Sequence, residues 1–517
     1  MAVRIINQFG EKMSMTVSHA VRWWAREKAQ QKALVVGAES VTFGELENWT
    51  SRVARHLAQQ GIAPGDRIGV IGRNSVNWAI AAIAIVKLGA VLVPMNNRFK
   101  ERELEVVVAR TTPRLVLGDE SFEATFTNLA VAHPELAFES LESIRELETG
   151  EPDTFRLDLQ PNDPMIIMMT SGSTGQPKGV VYTNASVLGM IFEWSLMEET
   201  VRPGVRIFLP IPFAFAPGTV WGLMRTMTLG GTLFFQEKFD AADAVRLLQD
   251  NDIDISLGGP IIYEQMSQTP EFESAEFPRL RTAITGGARV PVDLLQKWMK
   301  KGLRIRQLYG MSEVGGITTA TKAEDAFDHP DTCGRGGVFS EFRVVREDGT
   351  ECDPMEQGEI LSRGPGMMSH YWDDPTQTAK TLVDGWIRSG DVGFTTPDGR
   401  LKFIDRSKDL IISGGINISP AEIEGVIGRM DGVDEVVVLA AKDQKYGEVP
   451  AAVVKINDGT TVQDVLDECN KQLADFKIPR YIVERVDPLP RLAHGKISKI
   501  EVRQEYSDIH TQYTRVR

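Results

Sequence analysis

The stretch 164–179, PMIIMMTSGSTGQPKG, constrains the fold more than any other part of the chain. Its apolar half reads as a buried strand, and the turn that follows sets Thr170, Ser171, Ser173 and Thr174 among Gly172, Gly175 and Gly179. Glycines let backbone amides close on an anion and Lys178 adds positive charge, which together make a phosphate cradle. It is not a P-loop, because that pattern needs Gly before the lysine and Ser or Thr after it, where this chain has Pro177 and Gly179. A solvated Ser/Gly linker is the alternative that composition alone would favour.

The neighbouring sequence alternates helix and strand. From Phe43 to Pro94 a helix (FGELENWTSRVARHLAQQ) leads through GIAPGD to an apolar strand (RIGVIG), a second helix and a short strand (AVLVP). That order predicts α/β layering with partly parallel sheets. The apolar run Trp78 to Val86 is far shorter than the roughly 18 residues of a membrane span and reads as a buried helix. GVIGRN lacks the spacing of a dinucleotide fingerprint. The sharpest change comes near Asp405, after the strand GRLKFI. We read residues 1–404 as a large domain of layered sheets and helices, and 405–517 as a small, mobile α+β lid. The lid holds strands such as VDEVVVLAA and AAVVKI and a helix near VQDVLDECNKQLADF.

The net charge of -14 argues against nucleic acid or an anionic membrane as partner. Cys333, Cys352 and Cys469 have no metal-ligand spacing and read as free structural thiols. No apolar signal core or targeting tail is apparent at either end, so the expected compartment is the cytoplasm.

Five further segments follow the opening loop in order: GGARVP (286–291), YGMSE (309–313), GWIRSGD (385–391), DRSKDLIISGG (405–415) and LPRLAHGKISK (489–499). With TSGSTGQPKG they resemble the adenylate-forming superfamily of acyl-CoA synthetases, amino-acid adenylation domains and beetle luciferase, over residues 18–499. The resemblance implies ATP, Mg2+ and coenzyme A as cofactors or co-substrates. A small carboxylic acid completes the set of partners, and a homodimer is allowed.

By that resemblance Thr170, Ser171, Gly172, Ser173, Thr174, Gly175 and Lys178 hold the ATP phosphates. Glu313 is the Mg2+ ligand, with Ser312 where a threonine is more usual; magnesium commonly takes one carboxylate plus phosphate oxygens. Tyr309 and the strip Gly287, Ala288 and Arg289 sandwich adenine, although an aromatic at Tyr309 could equally be core, and Gly310, Met311 and Phe403 complete the nucleotide site. Asp391 accepts the ribose hydroxyls, Arg406 is its partner, and Lys496 reaches the substrate carboxylate and α-phosphate. Lys408 is the pivot of the lid, and Ser413, Gly414 and Gly415 face the acceptor thiol, with Phe476 and Lys477 near the CoA nucleotide.

PIPFAFAPGTVWG (210–222) resembles the acyl-lining segment, with Phe213, Ala214, Phe215 and Trp221, together with Gly286, as substrate-binding residues. Phe213 stands where many acyl-CoA synthetases have histidine, and Ala214 where amino-acid-activating relatives carry an aspartate. An α-amino acid would leave its ammonium unpaired there, so the expected substrate is an uncharged, apolar acid from fatty or aromatic metabolism. Packing of Phe213 and Phe215 in the core is the other reading of the same stripe. The expected enzyme is an AMP-forming acid-thiol ligase. A stand-alone adenylation enzyme that loads a separate carrier protein is the alternative.

Overall fold

The structure is a computed structural model of the chain and describes residues 5–6, 12–13, 15–170, 177–286, 290, 292–326, 328–406, 409–413, 416–457, 459–491 and 497–517. It divides into two compact units, Met1–Arg343 with Leu361–Arg388, and Val344–Ile360 with Ser389–Arg517.

The first unit carries the predicted α/β layering. Helix Phe43–Gln59 starts at a capping box, in which Thr42 accepts from the Glu45 amide and Glu45 reaches back to the Thr42 amide. Strand Arg67–Ile71 follows, then helix Val76–Leu88, then strand Val91–Met95. Every residue of helix Val76–Leu88 is buried, as its nearly unbroken apolar sequence requires. Ser75 caps its start, and Gly89 ends it in the left-handed region at φ 76°, where only glycine sits without strain.

Two sheets result. Strands Arg67–Ile71, Val91–Met95, Leu115–Gly118 and Ala137–Ser140 pair in parallel with Pro164–Thr170, and the antiparallel strand Lys178–Thr183 closes one edge. In the second sheet Ile305–Tyr309, Thr282–Thr285, Ile255–Leu257, Arg206–Leu209, Thr232–Phe235 and Lys32–Val36 lie side by side and parallel. Short antiparallel strands, Thr319–Ala320 and Glu39–Thr42, cover its two edges. Parallel neighbours need crossovers, which is why the sequence alternates strand and helix.

The second unit is α+β. The long antiparallel pair Val433–Asp443 and Gly447–Ile456 takes Tyr481–Glu484 as a parallel neighbour. Successive residues of a strand face opposite sides, so Val438, Ala452 and Val454 pack with Ile423, Val465 and Cys469, while Val437, Leu439 and Val453 pack with Tyr481 and Tyr506. The three cysteines are free thiols. Among the described residues no helix is long and apolar enough to cross a membrane.

Candidate active site

Three of the motifs leave the carboxyl ends of strands in one parallel array. Strand Arg206–Leu209 runs into Pro210, strand Thr282–Thr285 into Gly286, and strand Ile305–Tyr309 into Gly310–Glu313. Open α/β sheets bind ligands at this end, because the loops there converge while the crossovers return to the other end. The backbone is tight. A Cβ on Gly310 would lie 2.1 Å from the Gly316 carbonyl oxygen, and one on Gly286 would lie 2.5 Å from the Leu308 side chain.

Facing these loops is the hairpin of Pro164–Thr170 and Lys178–Thr183. Thr170 pairs with Lys178 across it, and the Thr170 hydroxyl donates to the Lys178 carbonyl at 3.4 Å. Lys178 is half-buried. Burial holds its ammonium below the ordinary lysine range, and the negative charges of Glu313 and Asp374 oppose that shift.

Tyr371, which the sequence reading did not single out, joins the hairpin to the Glu313 loop. Residues 369–372 run beside strand Lys178–Thr183: the Val181 amide donates to His370 at 3.1 Å and the Trp372 amide to Gly179 at 2.7 Å. The path needs glycine at 179, where a Cβ would meet Ile167 at 2.8 Å and Trp372 at 3.2 Å. The Lys178 ammonium therefore lies over the Tyr371 ring, 5.1 Å from its centroid, and the Tyr371 hydroxyl donates to Glu313 Oε1 at 2.6 Å. Burial and the Glu313 carboxylate together keep that phenol protonated, well above its ordinary range.

Glu313 is 8% exposed, and its backbone is fixed as well. The Met368 amide donates to the Glu313 carbonyl at 2.9 Å, and the Tyr182 hydroxyl donates to the Ser312 carbonyl at 2.6 Å. Two residues on, the Trp221 indole donates to the Gly315 carbonyl at 2.7 Å. Gly316 packs against that ring at φ 99°, with no space for a side chain, because a Cβ would fall 2.4 Å from Trp221 Nε1.

In segment 210–222 Phe213 is 1% exposed and packs in the core against Trp78 and Phe235, with ring centroids at 5.1 and 5.0 Å. Its amide donates to Asn74 Oδ1 at 2.7 Å. Ala214 and Phe215 are partly exposed, whereas Trp221 is buried and braces the Glu313 loop. Residues Pro217–Met224 form a π-helical turn, a wide geometry that is rare and concentrated at functional sites.

Tyr309 is buried, and the Thr318 amide donates to its carbonyl at 2.9 Å. Asp391 lies opposite Arg406 in the antiparallel pair, with Arg406 Nε 3.5 Å from Asp391 Oδ1. Asp391 is buried and Arg406 half-exposed. Phe403 is exposed and Ser413 is buried. Lys477 pairs with Glu422 at 2.7 Å beside the exposed Phe476. Ser171, Gly172, Ser173, Thr174, Gly175, Gly287, Ala288, Arg289, Lys408, Gly414, Gly415 and Lys496 lie outside the described residues.

The donor set fits one divalent cation of the magnesium kind. Glu313 Oε1 is engaged by Tyr371, and among the described residues no donor engages Oε2. The described residues hold no cluster of three His, Cys, Asp or Glu side chains that would make an all-protein cage. One open carboxylate oxygen, completed by phosphate oxygens and water, is how Mg2+ is commonly held.

Residues 21–372 match the family model of the AMP-binding enzymes, and residues 422–496 match the model of the AMP-binding enzyme C-terminal domain. The chain is 32% identical to a feruloyl-CoA synthase of an Amycolatopsis species, over 93% of this chain and 97% of that protein. It is also 32% identical to a long-chain-fatty-acid–CoA ligase of Mycobacterium tuberculosis, over 94% and 98%. Among solved structures it superposes on the o-succinylbenzoate CoA synthetase of Bacillus subtilis in complex with its acyl-adenylate intermediate, with a TM-score of 0.86 and 26% identity over 93% of this chain and 97% of that one. A large sheet-and-helix domain with a small C-terminal domain is the architecture of that group. The chain belongs to the AMP-binding enzyme family and, within the adenylate-forming superfamily, is an AMP-forming acyl-CoA synthetase that uses ATP and CoA.

Proposed function

We propose that the enzyme ligates an uncharged, predominantly apolar carboxylic acid to CoA in the cytoplasm. The observation that carries the site reading is the chain Lys178, Tyr371 and Glu313 at the carboxyl ends of the parallel strands, which brings together one cation and one open carboxylate oxygen. The apolar acid is supported by Ala214 and Phe215 in the acyl-lining segment and by relatives named for feruloyl and long-chain fatty acids.

In the first half-reaction a carboxylate oxygen of the acid attacks the α-phosphorus of ATP, the bond to the bridging oxygen breaks, and pyrophosphate leaves. Lys178, with the hydroxyls of Thr170, Ser171, Ser173 and Thr174 and the amides of Gly172 and Gly175, holds the departing pyrophosphate by charge-assisted hydrogen bonds. Glu313 would hold Mg2+, which when bound neutralises phosphate charge. Tyr371 keeps the Glu313 carboxylate in place. Tyr309, Gly310, Met311 and Ser312, with Gly287, Ala288 and Arg289, cradle adenine, and Asp391 accepts the ribose hydroxyls beside Arg406 and Phe403. Lys496 neutralises charge that develops at the acid and α-phosphate.

In the second half-reaction the CoA thiolate attacks the acyl carbonyl carbon, a thioester forms, and AMP leaves with the electron pair of the broken C–O bond. Residues 405–517 act as the lid, turning about Lys408, and Ser413, Gly414 and Gly415 form the face past which the pantetheine arm runs.

The test is ATP-dependent pyrophosphate release over a panel of apolar and charged acids, with and without CoA, with mass detection of the thioester. An acyl-CoA from an apolar acid is expected. Pyrophosphate without a CoA thioester would redirect the second half-reaction to a carrier-protein thiol. Lys496→Ala is expected to lower adenylate formation far more than thioester formation from supplied acyl-AMP, and unchanged adenylation in that variant would remove its assigned role.

A further inference from the structure

Arg225 is the first residue after the π-helical turn Pro217–Met224, and it is completely buried. Its Nε and both terminal nitrogens have no hydrogen-bond partner among the described residues, and no charged group there acts on it. The guanidinium carbon lies over the Trp221 indole, 5.2 Å from the ring centroid. A cation over a ring face is attracted to it, but the contact supplies no acceptor for the N–H groups. Burial without a partner lowers its pKa to about 9. Folded proteins rarely leave buried donors empty, and a charge buried alone is among the costliest of such cases, so one kept in a core points to an acceptor that arrives from outside.

Its position says which acceptor. Trp221 donates to the Gly315 carbonyl, two residues from Glu313, its ring also lies beneath the Arg225 guanidinium, and Trp194 makes an edge contact with it at 5.5 Å. The sequence of contacts from Glu313 inward is therefore Gly315, Trp221, Arg225. Resting on the site reading above, in which the carboxyl group of the acid reacts at the Glu313 end, the far end of an acyl group following segment 210–222 approaches Trp221 and Arg225.

We propose that Arg225 is a specificity residue that donates hydrogen bonds to an oxygen at the distal end of the acyl group, so that the preferred acid is apolar along its length and oxygenated at its tip. A ketone or hydroxyl oxygen meets the requirement within the uncharged class proposed above; a distal carboxylate shares the same acceptor chemistry towards a planar donor fork and, if preferred, would replace that class with a charged one. A pocket built to hydrogen-bond a substrate oxygen rejects the analogue lacking it, because its own polar groups are then left unpaired.

The experiment uses the full-length enzyme and acids of graded length in matched sets: the plain acid, its distal keto or hydroxy analogue, and the dicarboxylic acid of the same length. At the length that reaches Arg225, the oxygenated acid is expected to exceed the plain one in kcat/KM by at least about tenfold. Arg225→Met is expected to bring the two within about twofold and to raise Tm, since an apolar side chain of similar volume removes the unpaired charge. Preference for the dicarboxylic acid over the keto acid would assign the oxygen to a carboxylate. Equal turnover of plain and oxygenated acids at every length overturns the proposal while leaving the ligase reading intact, and this holds whether or not the variant folds. A lower Tm for folded Arg225→Met also overturns it, because Arg225 would then be a structural donor. Absence of pyrophosphate release with every acid would instead fail the site reading itself.

Discussion

Tyr371→Phe removes the hydroxyl at the centre of the site, which hydrogen-bonds Glu313 and lies within reach of the Thr381 hydroxyl. The Tyr371 hydroxyl donates at 2.6 Å to Glu313, a carboxylate only 8% exposed, while the ring of the same residue carries the Lys178 ammonium at 5.1 Å. Phenylalanine keeps the ring and its cation–π contact and removes the hydroxyl that donates to Glu313. A hydrogen bond to a charged group contributes about 1.5–3 kcal/mol. If Glu313 must hold its open oxygen towards the metal while pyrophosphate leaves, that loss appears in the adenylation barrier and lowers kcat roughly 10- to 150-fold. The KM for the acid should stay within about twofold, since segment 210–222, proposed to line the acyl group, is untouched. The Mg2+ concentration for half-maximal rate should rise, because the carboxylate is no longer held in place. ATP–pyrophosphate exchange measured over a Mg2+ titration reads all three, with a urea melt to separate stability from catalysis. Wild-type kcat and an unshifted Mg2+ midpoint in a folded Tyr371→Phe enzyme would refute the reasoning, as would an equal loss in Tyr371→Phe and Glu313-independent activities such as AMP binding.

Two further outcomes test the scaffold. Lys87 on helix Val76–Leu88 is 2% exposed and pairs with Glu47 at 2.8 Å, also donating to Ser51 at 2.9 Å; Lys87→Met should cost about 3–5 kcal/mol by urea melting through stranding the Glu47 charge, and the double change with Glu47→Leu should recover much of it. Hydrogen bonds from Arg55 hold the Asp153 carboxyl below its ordinary range despite some burial, so its stabilisation is present above the unfolded value near pH 4 and is lost as pH falls through the lower folded value. Asp153→Asn should therefore melt below the parent at neutral pH, and the two Tm curves should converge on the acid side; a constant gap down to pH 2.5 would contradict the pairing.

Much of the scaffold can be read directly from sequence, because local pattern and final environment agree there. The unbroken apolar run from Trp78 to Val86 is a helix buried on all sides, and PMIIMM is a strand in the interior of a sheet. The alternation in VDEVVVLAA is a strand with two packed faces. The site is less legible, since its parts meet only in three dimensions. Tyr371 sits 58 residues from Glu313, in a segment with no periodicity, and nothing in its local sequence distinguishes it from a packing tyrosine. Arg225 falls in an otherwise apolar stretch, where the sequence shows a charge but not the absence of a partner. Phe213 illustrates the reverse difficulty: an aromatic stripe has the same spelling whether it faces a ligand or, as here, Trp78 and Phe235.

The pairing of strand Lys32–Val36 with Thr232–Phe235 carries a consequence for synthesis. The Thr232 hydroxyl bonds the Lys32 carbonyl, a contact between residues 200 positions apart. A ribosome adds roughly 5–20 residues per second, so the N-terminal strand waits about 10–40 s, with its apolar edge unpaired, before its neighbour emerges. During that interval the hairpin with Glu39–Thr42 is the only partner in this sheet already made, and it satisfies one side of the strand alone. The nascent chain is thus most exposed to strand-to-strand association with other chains in the middle of translation, and slower elongation before residue 235 should lower soluble yield without altering the finished enzyme.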